Sequence, residues 1–281
     1  MTPKHIHIVG CLPRSGTTLM TELMLSCFEI DGYTEHEYSI FKEYPSPYKV
    51  LCTKKPNDIK YIDYPLRVNE DLYVIYMLRD PRDAISSRSH KKAINGKKLW
   101  GNLQTWFSHQ HIAKNLSAET SRFITVRYED LVTNPDKTQQ YIQDKIPFLQ
   151  GKVKFSEYHL VATPSERTIA ALGGLRPISA ASIGNWRGQL AYLKAQIQKY
   201  GDLTNPLIDL GYEKDSNWMS ELEAISPDNT DEKLKEKAWY KRLWRNWFML
   251  PRRRLFYRIS CSTLLGMYLD RIRWFLRKRP S

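Results

Sequence analysis

Cysteine is scarce in this chain of 281 residues, with four in all, at positions 11, 27, 52 and 261. None forms a CxxC pair and none has the spacing of a metal-ligand set, so neither a disulfide framework nor a thiolate metal site is expected. Three fall in strand- or helix-like segments, where a buried free thiol suits a reducing compartment. Long apolar runs are also missing. The longest weakly polar stretch, Ile259 to Leu269, is about half a membrane span. The first apolar run, Ile6 to Val9, is too short for a secretory signal, and its flanks have the wrong charge. The expected location is therefore cytoplasmic, with peripheral attachment to a membrane as an alternative expectation. Acidic residues are few only at one end. From Asp231 to Ser281 there are 15 Lys and Arg against 4 Asp and Glu, while the rest of the chain has 28 against 26. The net charge of +13 is thus carried by the tail over a nearly neutral body.

Another missing residue is a lysine. Gly10-Cys11-Leu12-Pro13-Arg14-Ser15-Gly16-Thr17-Thr18 follows the apolar run Ile6–Val9 and precedes a helical pattern with Leu19, Met20, Leu23, Met24 and Cys27 on one face. Strand, glycine-bounded loop and helix present backbone N–H groups and a helix N-terminus to a phosphate. A Walker A loop has four residues between its glycines and Lys after the second. Here the glycines are one residue too far apart, Thr17 follows Gly16, and the cation is upstream at Arg14. The loop fits an anionic diester or anhydride better than the γ-phosphate of ATP.

Strands are expected at 5–9, 49–53, 72–78 and 123–126. Helices are expected at 17–28, from Ala84, and near 136–146, 188–200 and 202–210. Leu72 to Leu78 is apolar throughout, the pattern of a parallel strand covered on both faces. Alternating strands and helices indicate an α/β chain, a P-loop-like three-layer fold with a central parallel sheet flanked by helices. A helical basic C-terminal extension follows. Arg14, Lys54, Arg79 and Arg127 each come just after a strand, so several can share the crevice beyond the strands' carboxyl ends. Ala171 to Pro177 is a Gly/Pro-containing loop able to fold over a ligand. The expected division is a nucleotide-binding domain over 1–215, a linker over 216–230 and a basic aromatic helical tail over 231–281.

Two motifs carry a resemblance. Pro13-Arg14-Ser15-Gly16-Thr17-Thr18-Leu19 resembles the 5′-phosphosulfate loop of sulfotransferases that use PAPS (3′-phosphoadenosine 5′-phosphosulfate). Arg79-Asp80-Pro81-Arg82, with Ser87 eight residues after Arg79, resembles the family's second signature. Arg127 to Leu131 and Ser182 to Trp186 are supporting segments. The match spans roughly 5–213 and is closest in motif style to the tyrosylprotein and bacterial members. The resemblance implies that Arg14, Ser15, Gly16, Thr17 and Thr18 hold the 5′ end of PAPS, and Arg79 and Ser87 its 3′-phosphate. Arg176 is added as a contact from the loop. Arg14 is placed to neutralise the bridging oxygen as the nucleotide leaves. Sulfuryl transfer, like phosphoryl transfer, relies on positioning and charge stabilisation, and no metal is expected. In Cys52-Thr53-Lys54-Lys55-Pro56, Lys54 resembles the lysine that stabilises the transferring group. The base for the acceptor hydroxyl is assigned to Glu35, with His36 and Glu37 as alternatives.

Blander readings stand beside these. Gly16-Thr17-Thr18 also suits a plain helix cap, Arg79-Asp80-Pro81 a structural turn, and Glu35 and Glu37 solvated loop charges. Arg127 and Glu129 suit a structural ion pair, Trp186 a core position. A P-loop kinase or NTPase, or an inactive nucleotide-fold module recruited to membrane by its tail, are the alternative functions. In the tail, Trp247, Phe248 and Phe256 alternate with arginines such as Arg252, Arg253 and Arg258, which suits a helix on an anionic membrane. A docked helix with a solvated basic face is the plain reading; nucleic acid is the least favoured partner. The acceptor is expected to be a hydroxyl of a glycan, glycolipid or other lipid.

Overall fold

The structure, a computed structural model, describes residues 3–34, 37–42, 48–87, 101–228 and 245–262. Its centre is a five-stranded sheet of β1 (Lys4–Gly10), β2 (Gly32–Tyr33), β3 (Val50–Lys54), β4 (Leu72–Leu78) and β5 (Phe123–Arg127). The strand order is β2-β3-β1-β4-β5, and every pairing is parallel. The four longer strands fall within a residue or so of the expected segments. The two-residue β2 carries too little pattern to be read in sequence. It pairs Gly32 with Leu51 and Tyr33 with Cys52.

Alternate residues of the central strands feed two cores. Ile6 and Ile8 of β1 and Ile75 and Met77 of β4 face one layer, with Met20, Leu23 and Met24 of α1 (Thr17–Cys27). Val9 of β1 and Val74, Tyr76 and Leu78 of β4 face the other. Both faces of β4 are covered, which explains its unbroken apolar run. The first layer is completed by α5 (Tyr128–Thr133), α6 (Pro135–Lys145), α7 (Tyr158–Val161) and α8 (Glu166–Leu172). The second holds α2 (Asp63–Val68), α3 (Pro81–Ser86), α4 (Leu103–Glu119), α9 (Leu190–Tyr200), α10 (Thr204–Asp209) and α11 (Ser220–Glu223). A last described helix, α12 (Leu250–Ser262), follows a short π-helical piece, Arg245–Met249.

Two boundaries differ from the expectation for physical reasons. Helix α3 begins at Pro81 rather than Ala84, because the Asp80 carboxylate accepts the Arg82 N–H and Pro81 supplies a preset first helical residue. The stretch expected as a linker begins with ordered structure, the 3₁₀ turn Asn217–Met219 and α11, whose Trp218 and Leu222 are buried. Trp218, Leu222 and Ile225 keep a four-and-three helical spacing, a signal outweighed by the polar composition of the stretch. Trp218 stands edge-on to Trp186, 6.3 Å between centroids.

Arg82 is why Trp218 comes to this place. Its guanidinium lies 4.3 Å from the Trp186 ring and 5.0 Å from Trp218, 3% exposed. It pairs with Asp80 at 2.7 Å and with Glu213 at 2.6 Å. Asp83, one residue on, accepts the N–H groups of Gly184 and Trp186, each at 2.8 Å. The start of α3 therefore bolts the C-terminal third of the domain to the end of β4. Arg82→Ala removes the cation and leaves two carboxylates, one buried, without their partner. We expect a loss of about 3–5 kcal/mol in urea unfolding; a loss below ~1 kcal/mol would show the sandwich to be incidental.

His109, wholly buried on α4, holds the Cys11 carbonyl from Nδ1 at 2.7 Å. A carbonyl only accepts, so Nδ1 carries a proton. Burial pulls the imidazole down from 6.5 to about 4. The unfolded chain takes up this proton below about pH 6.5, whereas the fold resists until about pH 4. Stability thus rises with pH across that window. It is fully present above pH 6.5 and lower by about 3 kcal/mol at its acid end. His109→Gln, which keeps a donor but cannot titrate, should flatten the decline measured by urea unfolding between pH 7 and 4.5. An unchanged slope would assign the decline to other groups.

Candidate functional site

The chain leaves β1 on one side for β3 and returns across it to β4, so the crevice beyond the carboxyl ends of these strands is the switch point of the sheet. The loop from Gly10 to Gly16 fills it. Arg14 (φ 75°) and Gly16 (φ 90°) are both left-handed, flanking Ser15. Such alternation turns successive N–H groups toward one concavity at the start of a helix. Gly16 is required twice over, by its φ and because a Cβ there would lie 2.5 Å from Cδ2 of Tyr128. The Ser15 hydroxyl donates inward to the Leu12 carbonyl at 2.8 Å. Its contribution to a ligand is left to its backbone N–H.

Arg14, Arg79 and Ser87 come together. Arg79, at the end of β4, donates from Nη1 to the Arg14 carbonyl at 2.8 Å and from Nη2 to the Ser182 carbonyl at 2.9 Å. Its guanidinium lies 4.5 Å from the Tyr128 ring centroid, and the Tyr128 hydroxyl meets Ser182 Oγ at 2.6 Å. Arg14 Nε donates to Ser87 Oγ at 3.3 Å. Burial, and then the charge of Arg79, lower the Arg14 pKa. Two guanidinium groups this close oppose one another unless an anion joins them. Arg79 Nε is buried with no acceptor among the described residues. An unmatched buried donor costs about 1–3 kcal/mol, so the pair fits a phosphate or sulfate oxygen.

A second group forms around Lys54, the last residue of β3. Its Nζ donates to Thr18 Oγ1 at 3.0 Å. Burial lowers the Lys54 pKa, opposed by the negative charges of Glu37 and Glu22. Glu22, one turn beyond Thr18 on α1, is itself buried, and burial raises its pKa against the pull of Lys54. The motif reading did not single out Glu22; its i, i+4 relation to Thr18 is the signal that was available. Glu35 and His36 lie outside the described residues. Their neighbours are placed. Tyr33 pairs with Cys52, Tyr38 N–H donates to the Lys54 carbonyl at 2.9 Å, and Ile40 N–H donates to buried Asp58 at 2.7 Å. Burial would raise Asp58, but His7, the Ile40 N–H and Lys55 outweigh it and hold the carboxyl below its ordinary range.

Two expected contacts go elsewhere. Arg127 does not join the Arg14–Arg79 group; it lies 4.3 Å from the Tyr212 ring and pairs with Asp130 at 4.0 Å. Glu129 accepts the Asp80 N–H and the Tyr212 hydroxyl, each at 3.0 Å, rather than pairing with Arg127. Side-chain length alone does not tell these partners apart in sequence. Arg176 is exposed on the loop after α8, its backbone bonded to the Tyr158 hydroxyl on the Glu22 side of α1. Trp186 is 2% exposed, a core residue. Among the described residues no group of His, Cys, Asp and Glu has the arrangement of a metal site.

Comparison with known proteins bears on what this constellation serves. A search of curated protein sequences returns no match. Among solved structures, the sulfotransferase domain of the Synechococcus PCC 7002 olefin synthase is 17% identical, covering 66% of this chain and 88% of its own with a TM-score of 0.43. The sulfotransferase domain from the curacin biosynthetic pathway is 15% identical, covering 76% and 99%, with a TM-score of 0.47. Residues 26–147 match the family model described as Sulfotransferase family. That segment leaves out the Gly10–Gly16 loop but contains Lys54, Arg79 and Ser87, and over it the chain is similar to the sulfotransferase family.

Proposed function

We propose that the protein transfers a sulfuryl group from PAPS to an acceptor hydroxyl. The observation that carries this reading is the Arg14–Arg79–Ser87 cluster, in which two half-buried or buried arginines and a serine hydroxyl converge beside a left-handed, glycine-bounded loop. PAPS carries a phosphate at each end of its ribose, and the chain offers two anion-binding groups in one crevice. The N–H groups of residues 15–18 and Arg14 suit the 5′ side. Arg79, with its unmatched Nε, and Ser87 suit the 3′-phosphate.

The chemistry asks four things of the chain. Arg14 offers its charge where the bridging oxygen becomes anionic as its bond to sulfur breaks. Lys54, held by Thr18, balances charge on the transferring oxygens. A carboxylate, Glu35 by the family resemblance, takes the acceptor proton as the new oxygen–sulfur bond forms. The surrounding fold holds these groups in register, which is the larger part of catalysis by positioning. The acceptor we favour is a hydroxyl of a glycan, glycolipid or other lipid, since the basic aromatic tail suits a charged lipid surface.

Adenosine 3′,5′-bisphosphate should raise the melting temperature of the wild type, and Arg79→Ala should remove most of that rise. Arg14→Ala should lower transfer of labelled sulfate from PAPS by about 10² or more, comparable to losing one oxyanion donor. Lys54→Ala should lower kcat more than nucleotide affinity. A thermal shift with Mg-ATP and none with the bisphosphate would overturn the reading in favour of a kinase or NTPase.

A further inference from the structure

The two sides of α12 are used differently. One side is fastened to the domain. Arg254 pairs with Asp63 at 3.3 Å and lies 5.3 Å from the Tyr64 ring. Asn69 Nδ2 donates to the Tyr257 hydroxyl at 3.1 Å, and the Tyr257 ring meets Phe41 edge-on at 5.9 Å. Arg254 and Tyr257 are three apart and share this face. The rest of the helix and the turn before it look outward. Trp247, Phe248 and Leu255 are 73%, 62% and 58% exposed, beside the exposed Arg252 and Arg253. Positions 248, 252 and 255 follow the four-and-three spacing of one helical stripe.

Single exposed apolar residues are ordinary on a protein surface, but three bulky ones grouped with arginines make an exposed patch of the kind that binds other surfaces. We propose that this outward face of α12 lies on an anionic lipid bilayer, with Trp247, Phe248 and Leu255 entering the interfacial layer and Arg252 and Arg253 against acidic headgroups. Two observations select this occupant. The first is charge: residues 231–281 carry 15 Lys and Arg against 4 Asp and Glu, and the whole chain is +13. A second copy would bring the same positive charge to the contact. The second is side-chain chemistry. Trp and Phe beside an aliphatic Leu, flanked by arginine, is the make-up of a helix lying in a membrane interface. A nucleic-acid surface is held chiefly by stacking rings and cations, and Leu255 supplies neither. The inner contacts to Asp63, Asn69 and Phe41 hold the helix so that the outer face stays presented. Among the described residues no helix is long and apolar enough to cross a membrane, and the proposal is for a helix resting on one.

The full chain, sedimented with phosphatidylcholine vesicles with and without phosphatidylserine, tests this without any need for turnover. The wild type should pellet with the phosphatidylserine vesicles only, and less as salt rises. Arg252→Glu with Arg253→Glu should cut partitioning by about tenfold or more. Trp247→Ala with Leu255→Ser should cut it similarly even at low salt. Lys137→Glu, exposed on α6, should leave it unchanged and controls for net charge. Matching melting temperatures check that each variant is folded. No pelleting, equal pelleting with phosphatidylcholine alone, or α12 variants that behave as wild type would each overturn the proposal. RNA binding lost in the arginine variant, without vesicle binding, would assign the face to nucleic acid. A dimer dissolved by Trp247→Ala with Leu255→Ser would assign it to a second copy.

Discussion

The contact between Arg79 and the loop before α1 ties the site together. One guanidinium reaches the Arg14 carbonyl, the Ser182 carbonyl and the Tyr128 ring. Arg14 and Tyr128 meet there because β1 and β5 flank β4 in the sheet, and Ser182 because Asp83 accepts the Gly184 and Trp186 N–H groups. Tyr128 in turn presses on Gly16, so a side chain there would collide with it. The left-handed turn at Gly16, the aim of the α1 N-terminus and the direction of Arg79 are therefore one constraint. Moving any of them displaces the other two.

Around this contact the polar groups divide by burial. Asp80, Arg82, Asp83 and Glu129 are tied to partners inside the protein and serve rigidity. Burial raises the pKa of Asp83 and Glu129, opposed by the N–H groups that each accepts. Arg14, Lys54 and Glu22 are also largely withdrawn from water, but their strongest neighbours are other ionisable groups of the crevice. Charges placed in this way respond to a ligand's charge more strongly than charges on an open surface would, because less solvent screens them.

Much of this was legible in the sequence. The unbroken run from Leu72 to Leu78 announced a strand covered on both faces. The glycines of Gly10 to Thr18 announced a tight turn opening a helix, and Gly16 is left-handed there. The helix after β4 was expected three residues late, because Arg79-Asp80-Pro81 was given only as a structural turn and the Asp80 cap with Pro81 was not read. Partner choice among nearby charges was not legible. Arg127, Glu129 and Asp130 are close in sequence, and only the return of Tyr212 to this place decides that Arg127 stacks and Glu129 bonds the Asp80 N–H. Glu22 escaped notice because a glutamate on an amphipathic helix ordinarily faces water, and only the position of Lys54 shows that this one does not. Trp218 and Leu222 went unread for another reason: with Ile225 they keep a helical spacing of four and three, but the polar residues around them suggested a linker.

The scarce cysteines have a use beyond packing. Cys11, Cys27 and Cys52 are buried free thiols, each pushed up to about 12 by burial. At neutral pH roughly one in 10⁵ of such thiols is ionised, and the thiolate is the reactive form. Cys11 lies inside the phosphate-type loop itself, with its Sγ directed to the Arg79 carbonyl at 3.9 Å. A thiol reagent can reach it only when the loop opens. The rate of labelling at Cys11 is therefore an intrinsic clock for how often the Gly10–Gly16 loop breathes.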